Sequence, residues 1–209
     1  MPSDDPNPPL AHRRPLLAAL AAAGLAPMGA LGFVGRRRAA PPARELWITR
    51  PQAQESVRAV FWSDGRLQND GYRAINRIYR DLHAGLEHPI ALGLLELNCA
   101  MQRFLADAGR AAPIVLLSGF RTSQTNRLVG GVEPSGHLAG EADDFIFGAL
   151  SFDDNLRLAR RFQVGGLGIY PDRHSLHKDL GRPRTWVEYG RAPAAGVQPP
   201  IVRSRRFEP

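Results

Sequence analysis

Apolar and polar positions alternate early in the chain, then recur at helical spacing, then alternate again. The segments 45–49 and 56–62 are extended, β-rich runs, and Asp64-Gly65 supplies a turn after the second. Tyr72, Ile75, Ile78, Tyr79 and Leu82 return at helical spacing, and 90–105 is a second, more apolar helix starting near Pro89. Both helices are expected to be buried on one face. Ile114-Val115-Leu116-Leu117 is a short apolar strand ending at Ser118-Gly119-Phe120-Arg121, where a turn leads into a helix near 122–128. After a Gly/Pro-containing loop at 130–136, residues 141–147 look like a strand with Asp144 in its middle, an odd place for a carboxylate. Ser151, with Asp154 three residues later, caps a helix through Phe162. The segments 166–170, 175–179 and 186–189 are short strands separated by turns. Helices followed by several short strands, without regular βαβ alternation, predict an α+β domain with a largely antiparallel sheet.

At 209 residues, 44% apolar and 22% charged, the chain has room for one ordinary core plus appendages. The appendages are residues 1–43, a signal and linker, and 191–209, a loose tail; the domain is 44–190. In the first, Arg13-Arg14 precede an apolar run from Leu16 to Val34 broken by Gly24, Pro27 and Gly29, which reads as a secretion signal. Arg13-Arg14, Pro15 and Leu16-Leu17 together resemble a twin-arginine export signal. An uncleaved membrane anchor and a disordered tail are the alternatives. The lone Cys99 sits in an apolar, helix-like stretch, where free cysteines pack as small hydrophobes. Net charge is +7 and almost wholly arginine, Lys178 being the only lysine. That charge attracts polyanions, but no basic stretch is interleaved with aromatics as in nucleic-acid readers, so nucleic acid is not expected as a partner.

The chemistry concentrates in Ser135-Gly136-His137-Leu138-Ala139-Gly140-Glu141-Ala142-Asp143-Asp144, where a loop histidine is followed seven residues later by a strand aspartate. Imidazole nitrogen and carboxylate oxygen are both zinc ligands, and a catalytic zinc takes three protein ligands and keeps a fourth position for water. His174 and His177 are the downstream candidates for the third. Spacing alone is weak evidence, since a loop histidine and a buried, hydrogen-bonded carboxylate account for it more simply.

Ser135, His137, Gly140, Ala142 and Asp144, spaced as Ser-x-His-x-x-Gly-x-Ala-x-Asp, resemble the signature of the zinc peptidases that include D-Ala-D-Ala carboxypeptidases and the Hedgehog-like fold. Within that group the chain is similar to the YcbK-like murein endopeptidases. Trp62-Ser63-Asp64-Gly65, Ile75-Asn76-Arg77, Arg80-Asp81, Ser118-Gly119-Phe120-Arg121-Thr122, Thr125-Asn126, Gly168-Ile169-Tyr170 and His177-x-Asp179 occur in that family's order over residues 44–190. The resemblance implies N-terminal helices packed on a small, largely antiparallel sheet. It also implies one zinc ion on His137, Asp144 and His177, with Asp143 beside them where the family usually carries an apolar residue. Strand neighbours face opposite sides, so a one-residue register change would exchange the two carboxylates.

By the same resemblance Arg121 stabilises the scissile carbonyl as it becomes an oxyanion, and Ser118 and Gln124 contact substrate. The general base stays open among Asp179, His174 and Asp172. Asp179 shares a strand face with His177 and either lies near the metal or orients that ligand. Lys178, alternating away from its neighbours, is expected to be solvated, and Trp186 to pack the end of the sheet. The implied activity is hydrolysis of amides in peptidoglycan stem peptides or cross-links, by a monomer in the periplasm or cell envelope. Two other classes of function compete with it. One is a wall-binding module that keeps the metal without turnover; the other is an exported assembly factor using the N-terminal segment as an anchor.

Overall fold

The computed structural model describes residues 42–190. The expected signal and linker, except their last two residues, and the expected tail lie outside the described residues. Among the described residues no helix is long and apolar enough to cross a membrane.

The elements follow in the order β1 (Arg44–Arg50), β2 (Glu55–Ser63), β3 (Arg66–Leu67), α1 (Asn69–Tyr79), α2 (Leu92–Asp107), β4 (Ile114–Ser118) and α3 (Ser123–Leu128). The remainder are β5 (Ala142–Phe147), α4 (Phe152–Arg161), β6 (Gly166–Tyr170), β7 (Ser175–Asp179) and β8 (Arg184–Val187). The strands form one sheet of eight, ordered β3-β2-β1-β4-β5-β7-β6-β8. Only β1/β4 and β6/β8 pair in parallel. The α+β class and the largely antiparallel pairing are as expected; the sheet is larger than expected, because the turn at Asp64-Gly65 starts a short third strand and β8 joins β6 by a parallel edge pairing.

Three helices cover one face of this sheet. Ile75, Ile78 and Tyr79 of α1, Leu94, Leu95, Met101 and Leu105 of α2, and Leu158 and Ala159 of α4 enter one core with Leu46, Ile48, Phe61, Ile114, Leu116, Phe145, Phe147 and Leu176 from the strands. Each large apolar side chain buried in this way contributes roughly 1.5–3 kcal/mol. Cys99 is buried among them, as a small hydrophobe. Ser151 Oγ accepts from Asp154 N, so α4 has the expected cap. Leu82 does not belong to α1, however. Arg80 leaves the helical region at φ −53, ψ 156, and Leu82 is 36% exposed in the loop beyond.

Two buried charges fix the end of α1, Arg50 from β1 and Asp81, which ties it to the site-bearing segment after β4. Arg50 Nη1 donates to Ile78 O and Arg80 O, occupying carbonyls that the helix end leaves open. The Asp81 carboxylate accepts from His83 N, Ala84 N, Thr122 N and Thr122 Oγ1 at 2.8 to 3.1 Å. Burial acts to raise its pKa, but hydrogen bonds from Thr125, Thr122 and Ala84 outweigh that and bring it down to about 2. A depressed carboxylate stabilises the fold above its unfolded pKa, near 4, and the contribution is lost as pH falls through about 2. Asp81→Ala should therefore cost about 2 kcal/mol at neutral pH, and should flatten the pH dependence of stability between about pH 4 and about pH 2. Urea unfolding across that range is the measurement; an unchanged midpoint at neutral pH would show that the Thr122 tether is dispensable.

Candidate metal centre

The face of the sheet turned away from the three helices carries one row of residues, set by register. Ser118 stands opposite Asp144, Asp144 opposite His177, His177 opposite Gly168, and Gly168 opposite Trp186, so one line crosses β4, β5, β7, β6 and β8. Facing partners share a face, which is why Asp144 in mid-strand points out of the core while Phe145 and Phe147 point in.

His137 comes to this row from above. It lies in a single 3-10 turn, Gly136–Ala139, begun by Ser135, whose Oγ accepts from His137 N. Arg121 N donates to His137 O, binding this turn to the segment after β4. Gly119 lets that segment pass close to α1: a Cβ there would stand 2.5 Å from Tyr79 O. The Gly119 carbonyl then accepts the His137 Nδ1 proton at 2.7 Å. A carbonyl can only accept, so Nε2 of His137 carries a lone pair and faces the row.

Three atoms of metal-ligating type converge there. His177 Nδ1 lies 2.9 Å from Asp144 Oδ1, His137 Nε2 lies 3.4 Å from the same oxygen, and the two nitrogens are 3.2 Å apart. Ligands bonded at about 2.0–2.1 Å to a tetrahedral ion stand about 3.3 Å from one another, so the set fits a zinc-sized ion. His137 and His177 are 2% and 7% exposed. Among the described residues this is the one His/Asp group with metal-holding geometry.

Each ligand is held from behind. Arg121 Nη2 donates to Asp144 Oδ2, and its Nε to Ser118 Oγ at 2.7 Å, leaving Oδ1 of Asp144 turned toward the histidines. Burial acts to raise the Asp144 pKa, but the Arg121 guanidinium and the hydrogen bond from His177 hold it well below the usual carboxylate range. Behind His177, Nε2 donates to Asp179 Oδ2 at 3.1 Å, which commits Nδ1 to the ligand side. Asp179 is itself saturated by Gly166 N, Gly181 N and both terminal nitrogens of Arg184. Trp186 completes the support, its ring 5.3 Å from that of His177. Only glycine fits at 168, because a Cβ there would lie 2.6 Å from the indole. Beside it, burial and the Asp144 charge raise the Tyr170 phenol to about 12.

The remaining candidate residues fall in different places around this cluster. His174 is exposed after the turn at Pro171–Arg173, its ring against Phe152 of α4. It turns away because it precedes β7 by one residue and takes a left-handed conformation, φ 45. Asp172 is spent on Gly190 N, and Asp179 stands behind His177, so of the three acid/base candidates Asp179 alone touches the cluster, from its far side. Lys178 is not solvated but 6% exposed and paired with Asp143, because β7 is covered on both faces. Gln124 is exposed on α3, and Trp186 supports His177 rather than merely closing the sheet. Gly168 and Tyr170 were legible only as part of the Gly168-Ile169-Tyr170 motif, and the support of His177 by Trp186 had no signal, since the β6/β8 pairing that aligns them is not written locally.

An α+β domain with two histidines and an aspartate converging on the open face of its sheet is the architecture of D-Ala-D-Ala-peptidase-like metallopeptidases. The profile of peptidoglycan L,D-endopeptidase MepK matches residues 38–186, and the chain belongs to that family. It is 30% identical over 151 residues to peptidoglycan L,D-endopeptidase MepK of Escherichia coli (strain K12), covering 70% of this chain and 81% of that protein. A probable peptidoglycan L,D-endopeptidase MepK of Haemophilus influenzae is 32% identical over 82 residues, 37% of this chain and 44% of that protein.

The histidines also define how metal and protons compete. Burial pushes His137 down and keeps it neutral. Burial opposes charge on His177 too, but Asp144 and Asp179, one on each ring nitrogen, push it up to about 9. With a pKa of about 9 a proton sits on Nδ1 at neutral pH, and a divalent ion held here would have to displace it. Metal affinity should rise about tenfold per pH unit up to about pH 9 and level off above it. Competition with a chromophoric chelator across that range tests this, and a flat profile would mean that His177 carries no displaceable proton.

Proposed function

We propose that the chain is an exported, zinc-dependent peptidoglycan endopeptidase that hydrolyses amide bonds in stem peptides or their cross-links. The observation that carries this reading is the convergence of His137, Asp144 and His177 at zinc-ligand spacing, in a chain whose relatives bear the name peptidoglycan L,D-endopeptidase.

Bound by these three atoms, zinc supplies Lewis acidity and lowers the pKa of a water to about 7. The chain's own residues supply position and charge. His137 and His177 each offer one nitrogen because Gly119 O and Asp179 take the other. Arg121, fixed by Ser118 and Asp144, has its remaining nitrogen, Nη1, to donate to the scissile carbonyl oxygen as negative charge grows there, an effect worth about 3 kcal/mol in such sites. Gln124, exposed on the helix that follows Arg121, is a substrate contact. The net charge of +7 favours encounter with a carboxylate-rich polymer. The position of His174 favours a second reading, a metal-containing wall binder without turnover, since it leaves this acid/base candidate exposed and packed on Phe152 instead of beside the cluster.

Elemental analysis of the purified domain combined with digestion of isolated peptidoglycan separates the two. The hydrolase reading expects one zinc and released muropeptides, with both abolished in His137→Ala and His177→Ala. Arg121→Ala should fold, bind metal about 10–100-fold more weakly through the loosened Asp144, and at saturating zinc lose about 10²-fold in turnover. Zinc without products establishes the binder, and full zinc in both histidine variants removes the metal assignment.

Export by the twin-arginine route rests on Arg13-Arg14 before Leu16-Leu17. Replacing both arginines by lysine should abolish delivery to the periplasm without affecting folding, as followed by cell fractionation. Undiminished periplasmic yield would reject that route.

A further inference from the structure

Behind the ligands shared by β5 and β7 stands a second pair of facing residues. Asp143 is opposite Lys178, one position along from Asp144 and His177, so both side chains point into the core instead of toward the metal face. Lys178 Nζ lies 2.5 Å from Asp143 Oδ1 and 3.3 Å from the centroid of the Phe145 ring. Tyr79 OH of α1 and Asn98 Nδ2 of α2 donate to Asp143 Oδ2 at 2.8 and 2.9 Å. Asp143 is 0% exposed and Lys178 6%, and Lys178 is the chain's only lysine.

A buried ion pair seldom adds net stability over a well-packed apolar pair, because desolvation offsets the attraction; its best-attested use is to choose one register among several. Such a choice is needed here. Strand register is ordinarily set by a buried face alternating with a wet one, but β7 is buried throughout and β5 everywhere except Asp144. β5 also offers two adjacent carboxylates. A one-residue slip against β7 would bring Asp143 opposite His177 and carry Asp144 into the core.

We propose that the Asp143–Lys178 pair sets the register of β5 against β7 and so decides that Asp144, and not Asp143, faces the two histidines. The inference rests on reading His137, Asp144 and His177 as metal ligands. Asp143 cannot move to the metal face without stranding the Lys178 ammonium in the core, and Lys178 cannot follow without placing a cation among the ligands. The hydrogen bonds from Tyr79 and Asn98 extend the lock to α1 and α2, so the register of the central strands is referred to the helical layer. Asp143 and Lys178 are positioning residues, acting on the metal only through Asp144 and His177.

The test uses Co(II) as the probe, its visible ligand-field spectrum and affinity as readouts, and circular dichroism as the check on folding. Asp144→Ala should weaken Co(II) binding by about 100-fold or more, because Asp143 is held in the core and cannot replace it. Adding Lys178→Met, or Lys178→Gln if the methionine variant does not fold, should restore binding at least about tenfold with a carboxylate-ligated spectrum, as the freed Asp143 reaches the metal face. Adding Asp143→Asn should remove the recovery. A folded double variant without recovery overturns the proposal. Loss of the fold in both double variants overturns it as well, making the pair a stabiliser of the core. If the native chain binds no Co(II), it is the metal reading that fails, and the register proposal with it; native binding without recovery refutes the register proposal alone.

Discussion

The antiparallel pairing of β5 with β7 is the constraint on which the rest of the site depends. It places Asp144 beside His177 on one face and Asp143 beside Lys178 on the other. Everything else is arranged around that contact: β4 brings Ser118 and Arg121 to one side of it, β6 and β8 bring Gly168 and Trp186 to the other, and the His137 turn closes it from above. The sheet therefore serves as a ruler, with one strand spacing of about 4.8 Å separating successive contributors.

Gathering three carboxylates into a largely buried centre is costly unless each charge is matched. Here each has its own cation: Asp143 has Lys178, Asp144 has Arg121, and Asp179 has Arg184. The pairs differ in what they permit. Lys178, a compact ammonium, sits in the core over an aromatic ring, where a point charge suffices. The two arginines stand at the ends of the row, where a planar fork can hold a carboxylate and still reach another group. Arg121 also binds Ser118, and Arg184 lies over the Trp186 ring. Matching in this way leaves His137 Nε2 unprotonated on its ligand side, while His177 Nδ1 shares with Asp144 the proton that a metal ion would displace.

The rigid parts of the centre are paid for by close approach of backbone and aromatic surfaces. Gly119 brings the segment after β4 against Tyr79, and Gly168 brings Trp186 over the sheet to the His177 ring. Tyr79 does double duty, since its carbonyl accepts from Phe120 N while its phenol donates to Asp143. The helix that supplies core packing thus also fixes the loop bearing Arg121 and the carboxylate that faces Lys178.

Local pattern determined much of this protein. Alternation and helical spacing placed most of the elements within a few residues, the Ser151 cap among them, because those periods report which face of a segment is buried. The run from Ser135 to Asp144 together with His177 carried the ligand types, since a loop histidine and a strand carboxylate are local properties. Other features depended on partners distant in the chain. That Lys178 is buried, that His174 turns away, that Asp179 backs His177 and that Trp186 reaches it all follow from strand pairings, and a strand does not name its neighbour or its register. Between Asp143 and Asp144 the motif spacing pointed to Asp144, but one residue of register would have exchanged them; the tertiary structure supplies the physical reason for the choice, because only one face of β5 meets a lysine, a phenol and an amide supplied by β7, α1 and α2.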